Sequence, residues 1–211
     1  MTYFNGETMK TPEEHEDRFE TVFRILSDRK FLAMEGLGNE VPYFIETYDI
    51  PRQNSIYKKI DALEKRLEGA GIPVASIGLY DFAMENFEAS GELDELFDAE
   101  KSVPKATMLE EMVKMLSVEN TLVPEIARRT AEKDARLVFI HQVGEVYPYP
   151  RTHEILSSLQ PVVADRPVIV FFPGTYTTSY KEGFQLSLFG TQSARYYRAF
   201  KLDDYLSRGN M

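Results

Sequence analysis

The sequence has no cysteine. Disulfide staples, cysteine-ligated zinc, thiol nucleophiles and iron–sulfur clusters are therefore excluded. Histidine is scarce, with three in 211 residues, so imidazole chemistry has few places to reside. No stretch approaches the roughly 18 consecutive apolar residues of a membrane span. The opening segment is polar and acidic where a secretory signal needs a basic start and an apolar run. The expectation is a cytoplasmic protein without membrane contact. Positive charge is also in short supply: 24 Lys and Arg against 34 Asp and Glu give a net charge of −10. That balance opposes nonspecific attraction to a phosphate backbone, so any DNA contact is expected to be weak or indirect.

Catalytic signatures are missing as well. A P-loop needs glycines, a lysine and a hydroxyl at fixed spacing to cradle phosphates, and no segment matches. Gly36-Leu37-Gly38 precedes an apolar run instead of following one, so it reads as a tight turn and not as a dinucleotide fingerprint. No nucleophile elbow is present. No strand end carries the closely spaced acid and lysine of a nuclease, although Asp81 and Glu145 stand at suitable ends. His15 lies in an acidic N-terminal stretch. His141 and His153 with Glu145 would make a two-histidine, one-carboxylate metal set, but at a spacing no recognised site uses. The residues thus point to no enzymatic activity, no metal and no cofactor.

What is present is an alternation of apolar strands and amphipathic helices. Apolar residues at helical spacing mark a helix from Thr11 to Arg29, and Ile56, Ile60, Leu63 and Leu67 form one stripe in a helix over Asn54–Gly71. Strands are expected to start at Tyr43, Ile72, Leu137, Val168 and Tyr196, with the first running to Tyr48 and the second to Tyr80. The run Leu137–Val143 is almost wholly apolar, as in a central parallel strand buried on both faces. Val168–Phe172 is stopped by Pro173-Gly174, and Tyr196–Phe200 is the last strand. A helix over Arg151–Leu159 follows the third strand. A helical insertion at about 81–133 is broken near Ser102–Lys105 and bent near Pro124. The expected architecture is a single α/β domain over 1–211: an open, mostly parallel sheet of about five strands flanked by helices, Rossmann-like or P-loop-like without a Walker A motif.

Charge is unevenly spread. Between Asp81 and Glu125 stand 12 acidic residues and three lysines, whereas from His141 onward there are six acidic and seven basic residues. Two candidate surfaces follow. At the carboxyl ends of the strands, Gly144–Arg151 is expected to be an extended, proline-fixed loop displaying Tyr147, Tyr149 and Arg151, beside Thr175 and Tyr176 on a neighbouring strand end. With Glu145 and His153 these form a candidate partner-binding set, because Tyr and Arg dominate interface hot spots. The alternative is a nucleic-acid surface of Arg195, Arg198 and Lys201, interleaved with Tyr196 and Tyr197 for stacking.

Several strings taken together resemble one known family. They are Glu35-Gly36-Leu37-Gly38-Asn39-Glu40-Val41-Pro42; Val143-Gly144-Glu145-Val146-Tyr147-Pro148 with Arg151, Thr152 and His153, then Leu159-Gln160-Pro161; Phe171-Phe172-Pro173-Gly174-Thr175-Tyr176; Ser187-Leu188-Phe189-Gly190; and Tyr196-Tyr197-Arg198-Ala199-Phe200. In this order, and over nearly the whole chain, they resemble the BrxB family of bacteriophage-exclusion (BREX) systems. The resemblance implies a small, non-catalytic core component of a defence system that methylates host DNA and blocks phage replication. It also implies a protein-binding scaffold that docks the alkaline-phosphatase-like PglZ, within a larger assembly with the methyltransferase PglX and the ATPase BrxC; a homodimer is a further expectation. It supplies no enzymatic residues to carry over.

Overall fold

The computed structural model describes residues 12–36, 41–179, 183–188, 192–195 and 199–208. Helix α1 (Pro12–Leu26) buries Val22, Ile25 and Leu26 along one stripe. The short α2 (Arg29–Leu32) is capped by Asp28, whose carboxylate accepts the N–H groups of Lys30 at 2.9 Å and Phe31 at 3.0 Å, satisfying donors that have no partner inside the helix. Strand β1 (Tyr43–Tyr48) leads through a 3₁₀ turn, Ile50–Arg52, into α3 (Gln53–Gly69). The expected stripe Ile56, Ile60, Leu63 and Leu67 is buried in α3, and the chain turns away after it at Gly71, with a left-handed φ of 78°.

Strand β2 (Val74–Gly78) is shorter than the run Ile72–Tyr80 suggests. Leu79 and Tyr80 already belong to α4 (Leu79–Ser90), because Leu79, Phe82 and Ala83 fall at i, i+3 and i+4 and are buried together. Then come α5 (Leu93–Glu100), α6 (Lys105–Met115), a π turn over Val118–Leu122 and α7 (Val123–Glu132). The break between α5 and α6 lies where expected. Pro124 occupies the first turn of α7, directly after the π turn, where its missing N–H is harmless.

Strand β3 (Leu137–His141) is buried at all five positions, as its unbroken apolar run requires. After α8 (Thr152–Leu159), strand β4 runs over Val168–Ser179, seven residues past its expected stop. Pro173 and Gly174 mark a change of partner and not an end. Up to Pro173, which sits opposite Tyr48, β4 pairs with β1; from Gly174 it pairs antiparallel with β5 (Gly183–Leu188), which in turn pairs with β6 (Gln192–Arg195). Nothing in the apolar pattern announced this hairpin. The last strand, β7 (Phe200–Lys201), is followed by α9 (Leu202–Arg208). Its expected start at Tyr196 lies outside the described residues.

The parallel sheet has the order β2-β3-β4-β1-β7. Alternation along each strand divides its side chains between two layers. Phe44, Phe139, Ile169 and Phe171 pack with α1, α3 and α9, whereas Tyr43, Ile45, Val138, Ile140 and Val170 pack with α4, α7 and α8. Right-handed crossovers running in opposite directions from β1 and from β2 and β3 place their helices on opposite faces. The result is an open α/β sheet with helices on both sides, as the sequence implies.

One charged cluster is built into the first layer. Glu46, 4% exposed on β1, receives Arg18 Nε at 2.7 Å and its Nη2 as well, and Arg18 also reaches Asp203 of α9. A guanidinium matches both oxygens of a carboxylate, which offsets the cost of burying the pair. No helix among the described residues is long and apolar enough to cross a membrane.

Candidate functional site

In an open parallel sheet, ligands and partners approach the carboxyl ends of strands whose connections leave to opposite faces. Here β1 leads to α3 on one face and β3 to α8 on the other. A polar cluster occupies this junction. Tyr48, the last residue of β1, has its hydroxyl 3.1 Å from that of Tyr57 on the second turn of α3. Tyr57 in turn donates to Glu145 Oε1, 88 residues further along the chain. Burial pushes the Tyr57 phenol well above its ordinary pKa, with the hydrogen bond to Glu145 adding to the shift, and burial does the same to Tyr48. Both phenols are therefore neutral donors and not general bases.

His141 ends β3 beside this cluster, with its ring 6.0 Å from that of Tyr57 and its Nε2 3.3 Å from Ser76 Oγ. It is 8% exposed. Burial pulls its pKa below the ordinary value, against a weaker upward pull from Asp61 and Asp81, so the ring is neutral near pH 7. Glu145 Oε2 and His141 Nδ1 are desolvated and have no hydrogen-bond partner among the described residues. Gln142 adopts a left-handed φ of 58°, and its amide brackets Asp81, accepting the backbone N–H at 3.0 Å and donating to Oδ2 at 2.8 Å. A side chain at Gly78 fits only if Gln142 and His141 shift. A Cβ there would lie 2.3 Å from Gln142 Oε1 and 2.9 Å from His141 Cε1.

This base carries the segment from Val143 to Arg151. The segment is a succession of turns with cis peptides at Tyr147–Pro148 and Tyr149–Pro150, not the extended loop expected from its prolines. Its aromatic residues divide in role. Tyr147 is 42% exposed. Tyr149 is half-buried against the core, and its hydroxyl accepts the Val118 N–H at 3.3 Å, tying the loop to the π turn. Arg151 is exposed at the start of α8, where its N–H donates to Glu154 Oε2 at 3.3 Å. His153 and Thr175 are half-buried. Tyr176 is 2% exposed and donates to the Ala199 carbonyl at 2.6 Å, so its ring fastens β4 to the approach of β7.

The basic residues do not share the one strand expected of them. Arg195 ends β6, Lys201 is half-buried in β7, Arg198 lies outside the described residues, and so does the side chain of Arg195. No group of three or more His, Asp or Glu able to hold a metal occurs among the described residues. The sequence reading overlooked two exposed apolar side chains, Tyr80 at 44% and Ile50 at 37%, immediately past β2 and β1. Their signal was available: each is a large apolar residue just beyond a strand end, at the rim where the sheet meets solvent. Tyr80 and Tyr147 follow neighbouring strands, since β2 pairs with β3.

Comparison with known proteins agrees with the arrangement of motifs. A family model described as "BREX protein BrxB" matches residues 75–202, from the start of β2 to the start of α9. Two curated relatives carry the same description. The one from Bacillus cereus (strain H3081.97) is 31% identical over 193 residues, covering 89% of this chain and 97% of its own length. The one from Escherichia coli O9:H4 (strain HS) is 28% identical over 180 residues, covering 85% of this chain and 86% of its own length. No solved structure matches. The chain is a BREX-system protein and belongs to the BrxB family.

Proposed function

We propose that the protein is a non-catalytic scaffold of a cytoplasmic phage-defence complex, and that it docks PglZ at the carboxyl edge of its sheet, with PglX and BrxC in the larger assembly. The observation that supports this reading is the pair of exposed tyrosines, Tyr147 and Tyr80, beyond neighbouring strands, with exposed Arg151 on the same loop as Tyr147. Tyrosine supplies a large, rigid contact area with a polar tip, and arginine supplies a fork of donors, the two residue types that dominate hot spots. At the same strand ends, hydrogen bonds link Tyr48 to Tyr57 and Tyr57 to Glu145, and separately Gln142 to Asp81. A surface held rigid before contact loses less entropy on docking. Replacing Tyr147 and Arg151 together by alanine should abolish co-purification with the PglZ of the same operon while leaving thermal unfolding unchanged. Retained binding at unchanged stoichiometry would remove this surface from consideration.

A further inference from the structure

A second face of the molecule carries its own chemistry. Helices α5 and α6 form an outer layer on the α4 side of the sheet, and α5 contains no buried residue. Leu93, Leu96, Met84 and Met112 are only partly buried against the core, and Phe97 is 50% exposed. This contrasts with α7, which buries Val123, Ile126 and Thr130. A half-exposed phenylalanine on the helix that carries the partly covered Leu93 and Leu96 is an apolar surface still in contact with water. Methionine is the side chain best able to reshape itself around an incoming apolar group.

The charges of α4 and α5 are of one sign, whereas α6 carries Lys105 and Lys114 against Glu110 and Glu111. Residues 79–100 hold eight acidic side chains and no Lys or Arg. Glu85 pairs with Arg129 of α7, and Asp98 with Lys101 at 2.8 Å. Asp94, Glu95 and Glu100 make no ion pair among the described residues. Acidic residues alone would be a solvated face, and an exposed phenylalanine alone would be unremarkable. Phe97 standing between Glu95 and Asp98 joins the two features.

We propose that α5 and α6 present a docking face for a basic amphipathic helix of a partner protein. The apolar side of such a helix would cover Phe97 and the partly buried apolar side chains of α5 and α6, and its Lys and Arg residues would meet the unpaired carboxylates of α5. Phosphate backbones and anionic membranes carry the wrong charge for this face. This docking is separate from that at the carboxyl edge: different residues contribute, and the partner is chosen by charge and amphipathicity instead of by tyrosine contacts.

The test uses the full chain and a labelled Lys/Leu peptide of roughly 18 residues, long enough to span a helix of this size. A scrambled peptide of the same composition and a Glu/Leu counterpart serve as controls, with binding followed by fluorescence anisotropy. The Lys/Leu peptide should bind at about 50 mM salt and weaken as salt rises, because the contact is partly electrostatic. Phe97→Ser and, separately, the pair Asp94→Lys with Glu95→Lys should each weaken binding about tenfold. Tyr147→Ala should bind the peptide like the parent, so failure of this face and failure of the carboxyl edge are read independently. Should Phe97→Ser unfold the chain, the exposed charge-reversal pair carries the test. No binding at low salt, equal binding of the scrambled peptide, or charge reversal without effect overturns the proposal.

Discussion

Two carboxylates, one on the face of the sheet covered by α1 and α9 and one at its carboxyl edge, are treated in opposite ways. Glu46 is 4% exposed, and both its oxygens receive Arg18. Glu145 receives Tyr57 on one oxygen, while the other is desolvated and has no partner among the described residues. A buried polar group that the fold satisfies completely contributes to holding the fold together. One left half-satisfied raises the free energy of the free protein. The first region is satisfied within the fold, and the second is the one that the proposed docking would use.

The comparison is broken most severely from its structural side. Arg18→Ala leaves Glu46 buried without a counter-ion, and chemical denaturation should show a loss of about 3 kcal/mol or more. Replacing the pair together by Met and Leu should recover most of that loss, because a well-packed apolar pair is often as stable as the ion pair it replaces. The other region is disturbed next by Gly78→Ala. The added Cβ forces the Gln142 amide away from Asp81 and crowds His141, a cost of about 1–3 kcal/mol for an overpacked site, with weakened PglZ binding as a second readout.

Tyr57→Phe removes only a hydroxyl, yet it strips Glu145 of its donor and Tyr48 of its partner. Urea unfolding should show a loss of about 1–2 kcal/mol. The smallest effect is that of pH. The folded-state pKa of His141 lies below the ordinary 6.5 because burial penalises the imidazolium. The unfolded chain therefore binds the proton first, and stability should fall as pH drops below about 6.5. Unfolding curves at pH 7.5 and 5.5 should differ in that direction, and His141→Gln should lessen the difference. A stability that is unchanged or higher at pH 5.5 would contradict the burial argument.

The sheet was legible in the sequence because its signals are local. The stripe Ile56, Ile60, Leu63 and Leu67 and the run Leu137–His141 each state their own period, and the structure follows both. The hairpin after Gly174 was not legible, since Pro173-Gly174 reads as a stop in one dimension and as a change of neighbour in three. The candidate site was half legible. Motif strings drew attention to Glu145, Tyr147 and Arg151. Which tyrosines face outward depends on contacts from distant segments: Tyr149 is held by Val118 and Tyr176 by Ala199. The bond between Tyr57 and Glu145 spans 88 residues, a separation no local pattern encodes. Tyr80 is hidden for a similar reason: the apolar run Ile72–Tyr80 reads as one strand, but the burial of Leu79, Phe82 and Ala83 makes Tyr80 part of the first turn of a helix.

The central claim is that the carboxyl edge docks PglZ. It is tested most directly by size-exclusion chromatography with light scattering on the protein mixed with PglZ, for the parent chain and for Tyr80→Ala with Tyr147→Ala. The account predicts a co-eluting complex with the parent, and separate elution of a folded double variant. A complex of the same mass with the double variant, or no complex with the parent at micromolar concentration, would contradict it.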